Sequence, residues 1–295
     1  MENLCTGANR LSLWHFYRQA EVLMKISFEF FPPRTNKGKQ TLVQVRKELS
    51  TISPEYFSVT FGAGGSTQDA TLETVLDIQQ NDGVSAAPHL SCIGSEKEKI
   101  VALLDQYKAA GINRIVALRG DIPSGVRDIG DFHYANELVE FIKSEYNDHF
   151  YIEVAAYPET HPQAKNITTD LKHFANKVKA GASGAITQYF YNADAYFKFK
   201  DEVEKLGVNI PITPGIMPIT NYTQLLRFSN MCGAEIPKWI LERLKTYGDD
   251  LESLSSFGEE VVSNLCQTLK SQGVDSFHFY SMNRAQPSLN IAKNL

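Results

Sequence analysis

The chain has 295 residues, 43% of them hydrophobic and 21% charged, with a formal net charge of −5. That size can bury a large core, and the acidic balance argues against nucleic acid or anionic membrane as the principal partner. Four widely spaced cysteines (Cys5, Cys92, Cys232, Cys266) with no Cys-x-x-Cys exclude a recognisable zinc ribbon or redox dithiol and suit a reducing compartment. No stretch has the length and apolarity of a signal peptide or membrane span, so a cytoplasmic protein working on small molecules is expected.

Residues 9 to 24 have the spacing of an amphipathic helix preceding the main fold. A first strand is predicted at 26 to 31, stopped by Pro32 and Pro33, which cannot donate to a sheet ladder. Helical spacing over 39–50 (Leu42, Val45, Leu49) leads to a second strand at 56–61, ended by Gly62 to Gly65. A helix over 67–80 precedes strand three at 84–90. Ser95 is placed to cap the next helix, in which Ile100, Leu103, Leu104 and Tyr107 share a face. Strand four covers 114–119, a helix 133–146, strand five 151–157, and a helix carrying Leu171, Phe174 and Val178 follows the loop 158–167. Strand six is predicted at 184–188, a helix at 193–206 and strand seven at 210–217. Helices at 221–231, 237–246 and 250–271 lead to strand eight at 276–281 and a short tail.

Strands alternating with helices are the pattern of parallel βαβ units. Eight repeats at this length favour a (β/α)8 TIM barrel with extra helices over an open doubly wound sheet. The open sheet would carry a phosphate fingerprint in its first βα turn, and none is present; the Gly62-Ala-Gly-Gly-Ser-Thr67 run lacks its last glycine. No domain boundary or repeat is visible, so residues 1–295 are expected to form one domain.

A barrel of this kind keeps its active site at the C-terminal ends of the strands. Those ends supply Glu29, Thr60, His89, Arg119 with Asp121, Tyr157 with His161, Gln188, Met217, and Tyr280 to Arg284. Glu29 stands among Phe28, Phe30 and Phe31. It is either a carboxylate on the solvated face of an edge strand or an acid in a nearly dry site, its pKa raised for proton transfer. Each of the others has an ordinary reading: Thr60 as a β-branched strand residue, His89 bonded to local backbone, Arg119 paired with Asp121 across their turn. Tyr189, Phe190 and Tyr191 read as packing, and the helix bearing Asp170 and Lys177 as a solvated face. Gln188, in an otherwise apolar strand, must find partners for its amide. The seven histidines show no His-x-x-x-His and no accompanying carboxylate cluster, so no metal is expected. No strand carries a lysine for Schiff-base chemistry. An acid, an amide and an arginine around a wide rim suit a reaction whose hard step belongs to a cofactor.

Several stretches together resemble the methylenetetrahydrofolate reductase family in its bacterial single-domain form. They are Phe28-Glu-Phe-Phe-Pro-Pro33, Val59 to Ser66, Ala87-Pro-His-Leu90, Ala117-Leu-Arg-Gly-Asp121 and Ala155-Ala-Tyr-Pro-Glu159 with His161. Ala185-Ile-Thr-Gln188, Pro214-Gly-Ile-Met-Pro218 and Phe277 to Tyr280 through Arg284 complete them. The resemblance implies an FAD-containing barrel oxidoreductase of one-carbon metabolism. It would reduce 5,10-methylenetetrahydrofolate to 5-methyltetrahydrofolate with NADH or NADPH, the two substrates using the flavin in turn. By the same resemblance, Glu29 is the general acid and Asp121 tunes the flavin and binds folate. Gln188, Gln224 and Arg284 would hold the folate, with Phe228 stacking on the bound substrate. FAD contacts are implied for Thr60, His89, Arg119, Gly120, Asp121, Tyr134, Ala135, Tyr157, His161, Ala164, Asp170 and Lys177. The chain departs from the family pattern at Phe61, at Asn176 and in the loop 122–132. No S-adenosylmethionine-binding regulatory domain is expected after strand eight, and the analogy also allows a homo-oligomer. Two other readings stay open: a different flavin-dependent barrel oxidoreductase, of the amino-acid-oxidising type, and a non-catalytic flavin or pterin binding protein.

Overall fold

A computed structural model of the protein describes residues 24–61, 65–121 and 130–295. All but the last residue of the helix expected over 9–24, and most of the loop 122–132, lie outside them. Strands β1 (Lys25–Phe30), β2 (Tyr56–Val59), β3 (Ser85–Ser91), β4 (Arg114–Leu118), β5 (Tyr151–Ala156) and β6 (Gly184–Thr187) pair in sequence order, each parallel to the next. The seventh stave is broken. β7 (Ile212–Thr213) pairs with β6, and β8 (Gly215–Ile216) pairs with β9 (Ser276–Tyr280), which returns to β1. Pro214 separates the two pieces; it has no N–H to give, but its carbonyl accepts from His278 N–H at 3.0 Å. The ring is thus an eight-stave parallel barrel, with the predicted strand 210–217 forming the seam.

Helices α1 (Asn36–Ser50), α2 (Gly65–Asn81), α3 (Lys97–Ala109), α4 (Ala135–Tyr146), α5 (Ile167–Lys179) and α6 (Ala193–Lys205) follow successive strands. α7 (Tyr222–Cys232), α8 (Lys238–Tyr247) and α9 (Leu251–Ser271) fill the last connection, and α10 (Ser288–Lys293) closes the tail, where no helix is expected from the sequence. Thr35, Asn166, Asn221 and Asp250 cap their helices by accepting from backbone N–H groups. Ser95 does not cap α3. It is buried and bridges to Gly130, and the N–H of Lys97 is satisfied by the Asp131 carboxylate at 2.9 Å, a residue far along the chain.

Side chains alternate across each strand, and here the alternation overturns one expectation. Phe28 and Phe30 do not surround Glu29. They point the other way, fully buried with Phe57 and Phe279, their ring centroids 5.1–6.3 Å apart. Phe31 is largely exposed. The aromatic run therefore glues the barrel to its helices, each buried ring contributing about 1.5–3 kcal/mol. The inward face of the same strands is polar: Ser27 and Glu29 on β1, Ser58 on β2, Glu153 on β5 and His278 on β9, with Ser27, Ser58, Glu153 and His278 buried.

Candidate active site

At the C-terminal mouth of the barrel lies a cavity of about 490 Å³. Glu29, Thr60, His89, Asp121, Tyr157, His161, Gln188, Met217, Phe228 and Tyr280 all line it. Residues from all eight staves or the loops just after them thus converge, as a parallel barrel dictates.

Glu29 is half-buried at the floor. Its Oε2 lies 3.4 Å from His89 Nε2 and 3.8 Å from His278 Nε2, so the acid sits between two imidazoles. His278 is anchored from behind, its Nδ1 2.7 Å from Ser27 Oγ, and its Nε2 is also 3.4 Å from Ser58 Oγ. Burial pushes the His89 pKa down, with Glu29 acting against that and His278 adding to it. His89 is therefore neutral at pH 7, and its Nε2, buried and 3.4 Å from the carboxylate, makes no aligned hydrogen bond. Tyr280 is held protonated far above its usual range by burial and by the Glu29 charge. Its hydroxyl donates to Thr187 O at 2.7 Å, passing over Gly215, where an added Cβ would lie 2.0 Å from that oxygen.

The backbone of Glu29 is fixed by the segment after β9. Ser281 Oγ donates to Glu29 O at 2.6 Å. Asn283, with its neighbour Met282 in the left-handed region at φ near 54°, turns its amide onto both polar groups of Phe31.

On the opposite rim, Arg119 does not pair with Asp121. Its guanidinium donates to the carbonyl of Gly120 at 3.1 Å and to Gln163 Oε1 at 2.5 Å, a neutral partner that leaves its positive charge uncompensated there. Asp121 is exposed on the cavity wall. Gly120 has φ +84°, and a Cβ would meet the Ser91 side chain at 2.9 Å, so backbone alone fits this corner. Tyr157 and His161 meet edge to face, centroids 4.4 Å apart, and the Tyr157 pKa is pushed to about 12, chiefly by burial.

The α5 face carrying Asp170 and Lys177 is not solvated. Asp170 accepts from His161 N–H at 2.8 Å, and Lys177 donates to Ala155 O at 2.5 Å. Burial lowers the Lys177 pKa to about 8, with Asp170 opposing it. Ala164 donates its N–H to His161 O, while Tyr134 is exposed at the start of α4, beside Ala135. Gln224 lies in the first turn of α7 with its N–H on Asn221, and Arg284 is exposed; neither borders the cavity, whereas Phe228 does.

Sequence reasoning missed Gln163, Met231 and Cys232, which also line the cavity and come from a loop and a helix end. It gave His278 no role, although alternation puts 276, 278 and 280 on one face of a strand and so beside the first strand's inward residues. Tyr189, Phe190 and Tyr191 are buried as expected, and Tyr189 also reaches the cavity. Among the described residues no cluster of three metal-ligating side chains occurs, and no helix is long and apolar enough to cross a membrane.

Comparison with known proteins bears on this site. The family model "Methylenetetrahydrofolate reductase" matches residues 17–295. The chain is 39% identical over 274 residues to the 5,10-methylenetetrahydrofolate reductases of Pectobacterium carotovorum subsp. carotovorum and of Escherichia coli (strain K12), covering 92% of this chain and 90% of each relative. It is 38% identical over 282 residues to methylenetetrahydrofolate reductase (NADH) 1 of Arabidopsis thaliana, spanning 48% of that longer protein. Among solved structures, a Clostridium thermocellum protein that binds two copies of 5-methyl-5,6,7,8-tetrahydrofolic acid is similar at a TM-score of 0.62. At 16% identity, over 92% of this chain and 93% of that one, it attests the barrel fold.

Proposed function

Because the chain belongs to the methylenetetrahydrofolate reductase family, we propose that it reduces 5,10-methylenetetrahydrofolate to 5-methyltetrahydrofolate with NAD(P)H as reductant and FAD as cofactor. The observation that carries this reading is Glu29: a carboxyl at the floor of a wide cavity, one oxygen between His89 and His278.

The residues on the opposite rim fit a dinucleotide with a pyrophosphate. Arg119 offers a guanidinium with no carboxylate partner among the described residues, and Lys177 can recover a full charge when an anion approaches. Gly120 gives backbone access where a side chain would clash, and His89 Nε2 is a buried ring nitrogen without an aligned partner. Thr60, Tyr157, His161, Asp170 and the Tyr134–Ala135 turn complete that binding set. Bound there, FAD would accept hydride from NAD(P)H and pass it to the folate.

The chain's own part is binding and proton transfer. Glu29 gives its proton to the bridging nitrogen of the folate as the five-membered ring opens, which unmasks the carbon that takes hydride. Asp121 holds the pterin edge, Gln188 and Phe228 the rest of the folate, with Gln224 and Arg284 gathering onto its distal portion. His89, held neutral by burial, places no positive charge beside the acid.

The test is an anaerobic absorbance spectrum of the purified protein with added FAD, then NADH, then methylenetetrahydrofolate. Bleaching of the flavin band by NADH and its return with the folate is expected. Bleaching without return would discard the folate substrate, and failure to bind FAD would discard the cofactor.

A further inference from the structure

A second cavity, about 310 Å³, opens at the opposite, N-terminal end of the barrel. Ser27, Tyr56, Arg114, Tyr151 and Glu153 are among its walls. Ser27 and Glu29 are two residues apart on the inward face of β1, one facing this lower cavity and the other the active-site cavity. Between them stands His278, with no exposed surface. Its Nδ1 is 2.7 Å from Ser27 Oγ, and its Nε2 is 3.8 Å from Glu29 Oε2. One hydroxyl and one imidazole therefore stand between the two ends of the barrel, with a 3.8 Å gap left to Glu29.

The lower cavity is walled by a cluster of buried polar side chains. Glu153 is 3% exposed, its Oε1 meets Arg114 at 3.2 Å, and its carboxyl faces the Tyr56 hydroxyl, which also lies beside Ser27. Arg114 is held between the rings of Tyr56 and Tyr151, at 4.3 and 4.5 Å, and shares its charge with Glu55 at 2.7 Å. The cavity has ample room for water beside these polar groups. Burial raises the Glu153 pKa, with Arg114 and His278 acting against it. A carboxyl of that kind holds a proton closer to neutral pH than a surface glutamate does.

We propose that the active-site acid is re-protonated from the N-terminal face of the barrel, through Ser27 and His278, with Glu153 as the proton-holding group of the lower cavity. This rests on the reading of Glu29 as general acid. Reduction of the methylene bridge by NAD(P)H consumes one proton per turnover, and a ligand in the upper cavity covers the direct solvent route to Glu29. After Glu29 has given up its proton, the His278 Nε2–H bond breaks as the Glu29 Oε2–H bond forms. Nδ1 takes the hydroxyl proton of Ser27. Ser27 takes one from a cavity water, which draws on Glu153, and Glu153 refills from solvent. No electrons move, and the sum is one solvent proton delivered, with His278 left protonated at Nδ1 until its ring and the Ser27 hydroxyl turn back to their starting orientations. Ser27, His278 and Glu153 are positioning and relay residues, since none borders the upper cavity.

Ser27→Ala and Glu153→Gln test this, with the two half-reactions followed separately by anaerobic stopped-flow. The expected result is flavin reduction by NADH within about twofold of the parent and flavin reoxidation by the folate slowed about tenfold, recovering in Ser27→Thr. Equal slowing of both half-reactions would mean a merely structural role and overturn the relay, as would an unchanged folate step. A second readout needs no turnover: ¹⁵N-histidine NMR of the protein alone, with the His278 signal assigned by its loss in His278→Asn. Its ring nitrogen shifts, which report which nitrogen carries the proton, are expected to change in both variants. A signal indifferent to Glu153→Gln overturns the relay, whereas a parent enzyme unable to reoxidise its flavin with folate overturns the proposed function instead.

Discussion

Asn283 completes a strand that has already ended. Its Oδ1 accepts from Phe31 N–H at 3.0 Å and its Nδ2 donates to Phe31 O at 2.8 Å, so one side chain reproduces the two-bond pairing of a sheet neighbour. The pairing carries the junction between the first and last staves one residue past the ladder, where Pro32 stops β1. Asn283 adopts φ 54°, a conformation asparagine tolerates better than most residues. Asn283→Ala should lose both bonds and acquire backbone strain. We expect a loss of about 2 kcal/mol in urea unfolding, with the folate step impaired more than NADH oxidation because Glu29 stands two residues away.

Glu29→Gln keeps the size of the side chain and its hydrogen-bonding capacity but has no proton to deliver. Folate reduction should fall by about 10²-fold or more while FAD binding and NADH oxidation stay close to those of the parent. Folate turnover equal to the parent's in a steady-state assay would remove Glu29 from the role of acid.

Lys177 gives the clearest pH signature. In the folded protein without a bound anion it sheds its proton at about pH 8, chiefly through burial, against an ordinary value of 10.5. Between those values the unfolded chain binds more protons, so stability rises with pH across that window, and the penalty is fully present below pH 8. Lys177→Met should therefore unfold at higher urea than the parent at pH 7. That advantage should shrink as pH approaches 10.5. The same substitution should weaken FAD binding, separating the stability cost of the lysine from its use.

Gly215 is the tightest point of the seam. A Cβ there would lie 2.0 Å from Thr187 O and 2.7 Å from the Tyr280 ring, and a backbone oxygen cannot step aside. Gly215→Ala is expected to cost about 2–3 kcal/mol or more, read as a lowered melting temperature or loss of soluble protein.

Much of the barrel could be read in the sequence because parallel strands announce themselves: short apolar runs cut by Gly or Pro, each followed by a 3.6-period stretch. The site was legible to the same extent, since a strand's end is where its inward residue meets solvent, and Glu29, Thr60, His89, Tyr157 and Gln188 all reach one cavity. What escaped was whatever depends on partners far away in the chain. Asp131 caps α3 in place of Ser95, a long-range substitution that local preference cannot reveal. Glu29 has two histidines for neighbours and not the phenylalanines beside it in the sequence, because a strand sends adjacent residues to opposite faces. The break at Pro214 escapes a reading of 210–217 as one strand, although that stretch contains two prolines, and Gln163 and Cys232 lie in elements with no strand register to place them.

The closing of the ring also sets an order of events as the chain is made. Ser27 and His278, in contact at 2.7 Å, are separated by 251 residues, and the two short pieces of the broken stave can pair fully only after β9 arrives. Loop closure over such distances comes late in folding. A nascent chain lacking its last strand can stack helices on an open sheet, but Glu29 then has no His278 beside it and no Ser281 on its backbone. Catalytic competence is thereby made conditional on synthesis of the last strand. A ribosome-stalled fragment ending before residue 276 should show no folate reduction, however much of its helix content has formed.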